Sequence, residues 1–192
     1  VDAQGQLLVQ TTVAVAAHAS IEHALAAVVP GGHHGRALCL AVAGQVDAQG
    51  NARTANLPWT IRAGALADHT GRPVTVLNDF HALALGCAGL SVDDGMEVCG
   101  PGSNDETGPV LVIGPGTGLG AAIVLPSTTG QPLQVLPSEA GQMALAANDA
   151  RQAAVIEQLR SQRHDGHVSV ETIVSGPGLL ALYRVLCALD QV

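Results

Sequence analysis

Asp79 follows Asn78 at the end of an apolar run, Val74 to Leu77, and precedes a second apolar stretch, Phe80 to Leu90. Open α/β sheets meet their ligands beyond the carboxyl ends of their strands, and a carboxylate placed there can take a proton from a substrate hydroxyl. Asp is equally a good helix N-cap, so both roles stand. The run Gly114-Pro115-Gly116-Thr117-Gly118-Leu119-Gly120 lets backbone N–H groups come close to an anion. It is not a dinucleotide fingerprint, because the i, i+2, i+5 spacing fails and the next segment reads as strand. It is not a Walker loop, because the chain has no lysine. What remains is a glycine turn between two strands, with or without a ligand.

Two further acids stand out. Glu139, in Pro137-Ser138-Glu139-Ala140-Gly141-Gln142, is the first charge after the uncharged stretch Thr107 to Ser138. Such an acid is either a solvated loop tip or a hydrogen-bonding group in a cleft. Glu171 lies just ahead of Val174-Ser175-Gly176-Pro177-Gly178 and, taken alone, reads as an exposed acid.

The elements that must position these residues follow from periodicity. Gln6 to Val15 is rich in β-branched residues and reads as a strand. Ser20 caps a helix carrying Ile21, Leu25, Val28 and Val29. Ala37 to Ala43 and Val74 to Leu77 are short apolar runs, hence buried strands, while Gln45 to Asn51 with Gly50 signals a turn. Ile61 to Asp68 looks helical and stops at Gly71, and Phe80 to Leu90 is helical. After an irregular, acidic, Gly-rich stretch come strands at Val110 to Ile113, Ala121 to Leu125 and Pro132 to Leu136. A helix over Ala150 to Gln162 starts at a weak capping box of Asp149 and Gln152. The last helix follows Ser175 with an apolar stripe of Leu179, Leu182, Tyr183, Leu186 and Leu189. Strands alternating with helices predict an α/β layer architecture.

Composition narrows the function classes. With 192 residues, 47% hydrophobic and 12% charged, the chain is globular rather than disordered and buries a core without a disulfide or metal staple. A formal charge of -8, with no cluster of cations, predicts neither nucleic acid nor an anionic membrane surface as partner. Cys39, Cys87, Cys99 and Cys187 form no CxxC pair and read as buried or idle thiols of a reducing cytosol. Gly and Pro break the longest uncharged run, so no spanning helix is predicted, and no signal peptide opens the chain. The expected location is cytoplasmic.

In order, LNDFHALALG, VIGPGTGLGAA, LPSEAGQ and VETIVSGPGL resemble the bacterial glucokinase family, of the sugar-kinase/actin-like ATPase superfamily. The resemblance reaches upstream through Leu40 to Gly44 and Asn56 to Trp59. It implies a two-lobed α/β fold of the actin-like (ribonuclease H-like) class, incomplete at both ends. A small lobe would cover 1–90, a connection 91–107, and a larger lobe 108–192. It also implies ATP-dependent 6-phosphorylation of glucose with Mg²⁺, and leaves room for a homodimer. By the same resemblance, Asp79 is the catalytic base and Asn78 contacts a sugar hydroxyl. Glu139, Gln142 and Glu171 bind glucose, and Gly116, Thr117 and Gly118 face the ATP phosphates. Each role suits its chemistry, since a carboxylate accepts from two neighbouring hydroxyls and a chain without lysine must neutralise phosphate with Mg²⁺ and backbone donors.

The sequence departs from the family pattern in four places. Gln142 stands where many relatives carry His, and Pro115 where a small residue is common. Neither a DxGGTN-type phosphate loop nor a glycine-rich adenosine segment is found. The chain opens at Val1 without Met, so it reads as the internal part of a glucokinase, and the 192 residues alone are expected to be inactive. The alternative is a catalytically incomplete sugar-binding or interaction module derived from a glucokinase. A sugar-responsive regulator would need a basic helix-turn-helix that is not seen. His33-His34, His164 and His167 read as solvated loop histidines, since two ligands do not make a closed metal site. Trp59 reads as a core anchor.

Overall fold

The computed structural model describes residues 6–28, 35–54, 59–96, 98, 108–127 and 133–191. The chain divides into two compact units, Val1–Ala82 and Leu83–Val192.

The first unit is built on a parallel pair, β1 (Leu38–Val42) with β5 (Val74–Asn78), in register from Leu38↔Val74 to Val42↔Asn78. Between them the chain makes an antiparallel sheet in the order β2 (Gly44–Val46), β3 (Asn51–Thr54), β4 (Thr60–Arg62). The β2–β3 turn is held by Asp47, whose Oδ1 accepts from the amides of Gln49 and Asn51 at 2.9 and 2.8 Å. The bond from Asn51 holds the Asp47 carboxyl below the ordinary aspartate range, and Gly50 takes the left-handed φ of 75° that closes the turn. Helix α1 (Ile21–Val28) begins at Ser20, whose hydroxyl accepts from His23 N. Helix α2 (Ala63–Thr70) ends at Gly71, with φ 65° and its N–H donated to Ala67 O. Val42, Ala52, Ile61, Ala63, Leu66 and Val76 form the core, with Ile21, Leu25 and Leu40 packed against it. Helix α3 (Asp79–Cys87) follows β5 directly.

The second unit carries the antiparallel sheet β6 (Val110–Pro115), β7 (Leu119–Leu125), β8 (Gln134–Ser138). One face, with Val112, Ala122, Val124 and Val135, packs with Ala84. On the other, Leu111, Ile113 and Leu136 are exposed. A second core joins α4 (Ala150–Ser161) to α5 (Gly176–Asp190) through Val155, Ile156, Leu159, Val168 and Val185. Asp149 caps α4 by accepting from Gln152 N at 2.7 Å. The Gln152 side chain reaches back to the amide of Asn148, one residue earlier than a capping box requires. Ser175, buried, caps α5 by accepting from Gly178 N at 3.0 Å. Ser175→Ala should lower stability by about 1 kcal/mol, read as the shift of a urea unfolding midpoint.

Several expectations are corrected. Gln6 to Ala14 forms no strand, and Val15–Ala17 is a 3-10 turn. Leu7, Leu8 and Val9 stay exposed because no described strand offers them a ladder partner, and β propensity without a partner stabilises nothing. Ile61 belongs to β4 rather than to a helix, because it pairs with Ala52 and fills the core. Helix α3 stops at Cys87, short of Leu90. The apolar stripe of α5 is rotated. Leu179 and Tyr183 are 64% and 65% exposed while Val185 is 2% exposed, so the packed face runs through Gly178, Leu182, Val185 and Leu186. Trp59 is half-buried and is not among the residues packed on the core. None of the described free cysteines, Cys39, Cys87 and Cys187, is buried. Cys99, His33, His34 and Asn56 to Pro58 lie outside the described residues. Among the described residues, no helix is long and apolar enough to cross a membrane.

Candidate functional site

In the first unit the candidate residues sit at the β5–α3 junction. Asn78 ends β5, and its amide donates to Gly44 O at 3.0 Å. Its Oδ1 accepts from the amides of Phe80 and His81 at 3.0 and 3.1 Å. Asn78 is therefore the N-cap of α3, the role that spacing alone had offered to Asp79. Asp79 occupies the first helical position, half-buried, with Oδ1 accepting from Phe80 N at 2.9 Å. Its Oδ2 has no hydrogen-bond partner among the described residues. A carboxylate with one oxygen committed to the backbone and the other free has a fixed direction and a vacant acceptor.

In the second unit the glycine turn is the three-residue link Gly116 to Gly118 of the β6–β7 hairpin, whose closing pair is Pro115↔Leu119. Pro115 has no N–H to give there. The turn is pinned internally by Gly116 N donating to Gly118 O at 2.8 Å, and externally by Gly176 N donating to Gly116 O at 2.8 Å. Thr117 is exposed.

The segment carrying Glu139 and Gln142 follows β8 as a 3-10 turn, Ala140–Gln142. It is tied to the stretch before α5 by Leu145 N to Val168 O at 2.8 Å and Val170 N to Met143 O at 2.9 Å. Ser169 N bonds Thr172 Oγ1 at 3.0 Å and closes the 3-10 turn Val170–Thr172. That turn brings Glu171 against both neighbours. Its Oε2 accepts from Leu119 N at 2.7 Å, and its Oε1 from Gln142 Nε2 at 3.0 Å. Facing an ionised carboxylate, the Gln142 amide has to present its NH₂ side, the only donor it has. The side chain of Glu139 is exposed and has no hydrogen-bond partner among the described residues.

Gly118, Gln142 and Glu171 thus share one small region of the second unit, and Glu139 stands at the head of the same turn as Gln142. Asn78 and Asp79 share the junction in the first. His167 was not expected here. Its Nε2 lies 3.0 Å from Gln142 O, so this exposed loop histidine also supports the turn. The bend that aims it is set by Asp165, which accepts from His167 N at 3.1 Å and from Arg163 at 3.3 Å. Both donors hold the Asp165 carboxyl below its usual range. Its spacing from Asp165 was the only signal in the sequence, and it pointed no further than a loop. No group of three or more metal-ligating side chains occurs among the described residues.

Against known proteins, the family model described as Glucokinase matches residues 1–192. The chain is 42% identical over 156 residues to a glucokinase of Pseudomonas paraeruginosa, covering 81% of this chain and 44% of that protein. It is 40% identical over 154 residues to a glucokinase-like protein of Xylella fastidiosa, covering 80% and 45%. The chain thus spans a little under half the length of these curated relatives. Among solved structures, the crystal structure of a glucokinase from an Antarctic psychrotroph superposes with a TM-score of 0.73 at 33% identity, over 93% of this chain and 54% of that one. A glucokinase from Balamuthia mandrillaris in complex with glucose shares the fold, with a TM-score of 0.66 at 23% identity, over 88% and 51%.

Proposed function

Because this chain belongs to the glucokinase family, and its mixed α/β fold is that of solved glucokinases, we propose that the enzyme it represents transfers the γ-phosphoryl group of ATP to the 6-hydroxyl of glucose in the cytoplasm. The observation that carries this reading is the joining of the glycine turn to Gln142 and Glu171 inside one unit. It joins a glycine turn, of the kind whose amides can meet a phosphate, to a carboxylate and an amide of the kind that can bind sugar hydroxyls.

A sugar alcohol is a weak nucleophile. Asp79, whose Oδ2 has no hydrogen-bond partner among the described residues, accepts the proton of the 6-hydroxyl as the phosphorus–oxygen bond forms, a contribution of typically 10²–10⁴-fold. Asn78 has a second amide hydrogen beyond the one given to Gly44 and donates it to a sugar hydroxyl. Glu139, Gln142 and Glu171 bind the remaining hydroxyls, with each carboxylate oxygen able to accept more than one hydrogen bond. The turn Gly116 to Gly118 faces the phosphates with the amides of Thr117 and Gly118, the Gly116 N–H being given to Gly118 O, and preorganised donors there stabilise developing charge. ATP enters as its Mg²⁺ complex. Bound with ATP, the ion would supply charge neutralisation at the phosphates.

The test is a coupled assay on an enzyme of full family length carrying this sequence. Glucose should drive ADP release with glucose 6-phosphate as the second product. ADP release that is indifferent to glucose, or phosphate found on another hydroxyl, would overturn the assignment.

A further inference from the structure

We infer that Glu171 is a positioning residue that clamps the glycine turn, so that the hydroxyl-binding side of the site and the phosphate-facing turn are held by one carboxylate; this rests on the kinase reading above. Three independent observations converge on it. Glu171 Oε2 accepts from Leu119 N, the first amide after the turn, at 2.7 Å. Glu171 Oε1 accepts from Gln142 Nε2 at 3.0 Å, so both oxygens already serve protein donors from two different segments. The carboxylate also fills the space that a side chain at residue 118 would need. A Cβ on Gly118 would lie 2.5 Å from Oε2 and 3.1 Å from the carboxyl carbon. Gly118 has no left-handed φ. A side chain there would have to displace the Glu171 carboxylate, so the glycine serves that approach and not its own backbone.

The grip is two-handed. The segment that begins at Glu171 also reaches the other end of the turn, where Gly176 N donates to Gly116 O at 2.8 Å. Gly178 keeps this segment tight, since a Cβ there would meet Thr172 O at 2.7 Å and Glu171 O at 3.0 Å. Hydrogen bonds to a carboxylate are about twice as strong as neutral ones, so the Leu119 bond is a stronger tie than the Gly176–Gly116 bond. Sugar hydroxyls that draw on Glu171 then bear on the turn through a single side chain.

Glu171→Gln separates this role from a plain sugar contact. An amide keeps one neutral acceptor oxygen in place of two charged ones, so the bond from Leu119 N is weakened even when the Gln142 amide turns its own oxygen to meet the new NH₂. In an enzyme of full family length, amide exchange at Leu119 should be slow in the wild type and roughly 10- to 100-fold faster in the variant. The KM for ATP should rise by about tenfold along with that for glucose. Gly118→Ala, which leaves Glu171 chemically intact but puts a methyl where its carboxylate sits, should give the same pair of effects. The double variant should be hardly worse than either single one, because both remove the same tie. An unchanged Leu119 exchange rate in Glu171→Gln, or a rise confined to the KM for glucose, would overturn the clamp. A wild-type enzyme that fails to phosphorylate glucose would sink the kinase reading instead, and the exchange rates would still decide the clamp.

Discussion

Asp79→Asn, in an enzyme of full family length carrying this sequence, should lower kcat by roughly 10²-fold or more while leaving glucose affinity nearly unchanged. The substitution keeps the oxygen that accepts from Phe80 N at 2.9 Å, so the head of α3 loses no bond. Asn78, which caps that helix through the amides of Phe80 and His81, is untouched. Only the proton acceptor disappears. Steady-state kinetics with glucose varied read kcat and KM separately. Retained turnover with a raised KM for glucose would make Asp79 a substrate clamp, and the base would have to be sought among other groups.

Gly141→Ala should cost about 3 kcal/mol of stability, the upper end of the usual range for overpacking, and should weaken glucose binding with it. A Cβ at residue 141 would drive into the carbonyl oxygen of Leu119, with the Leu119 carbonyl carbon and Cβ at 3.2 and 3.1 Å. The obstacle is mainly backbone in the central strand β7, which cannot swing aside as the end of a side chain could. Relief would have to come from the turn that carries Glu139 and Gln142, at the expense of the bonds from Gln142 to Glu171 and from His167 to Gln142 O. Urea unfolding followed by far-UV circular dichroism reads the first effect, and glucose titration of the family-length enzyme reads the second. An unfolding midpoint within error of wild type would mean that the turn has room the packing does not show.

What the sequence determined by itself is what short-range forces determine. Ser20, Asp149 and Ser175 announce helices because a cap acts within three residues. Gly71 announces a stop because only its own φ is at issue. Val74 to Leu77 reads as a strand, and the GPGTGLG turn as a hairpin, because apolar runs and glycines carry that information locally. The acids and amides around those elements were visible as candidates for the same reason. Tertiary structure decided the rest. Gln6 to Ala14 has the composition of a strand and forms none, since a strand exists only by pairing with another. Helix α5 has apolar residues on more than one side, so its buried face was settled by the core formed by Val155, Ile156 and Leu159, and Leu179 and Tyr183 were left outside. The bond from Leu119 N to Glu171 joins residues 52 apart in the chain. No spacing rule reaches that far, because the contact depends on where two separate segments are brought to rest by packing. It is that placement, rather than any local preference, that puts a carboxylate against the glycine turn, in the space a side chain at residue 118 would take.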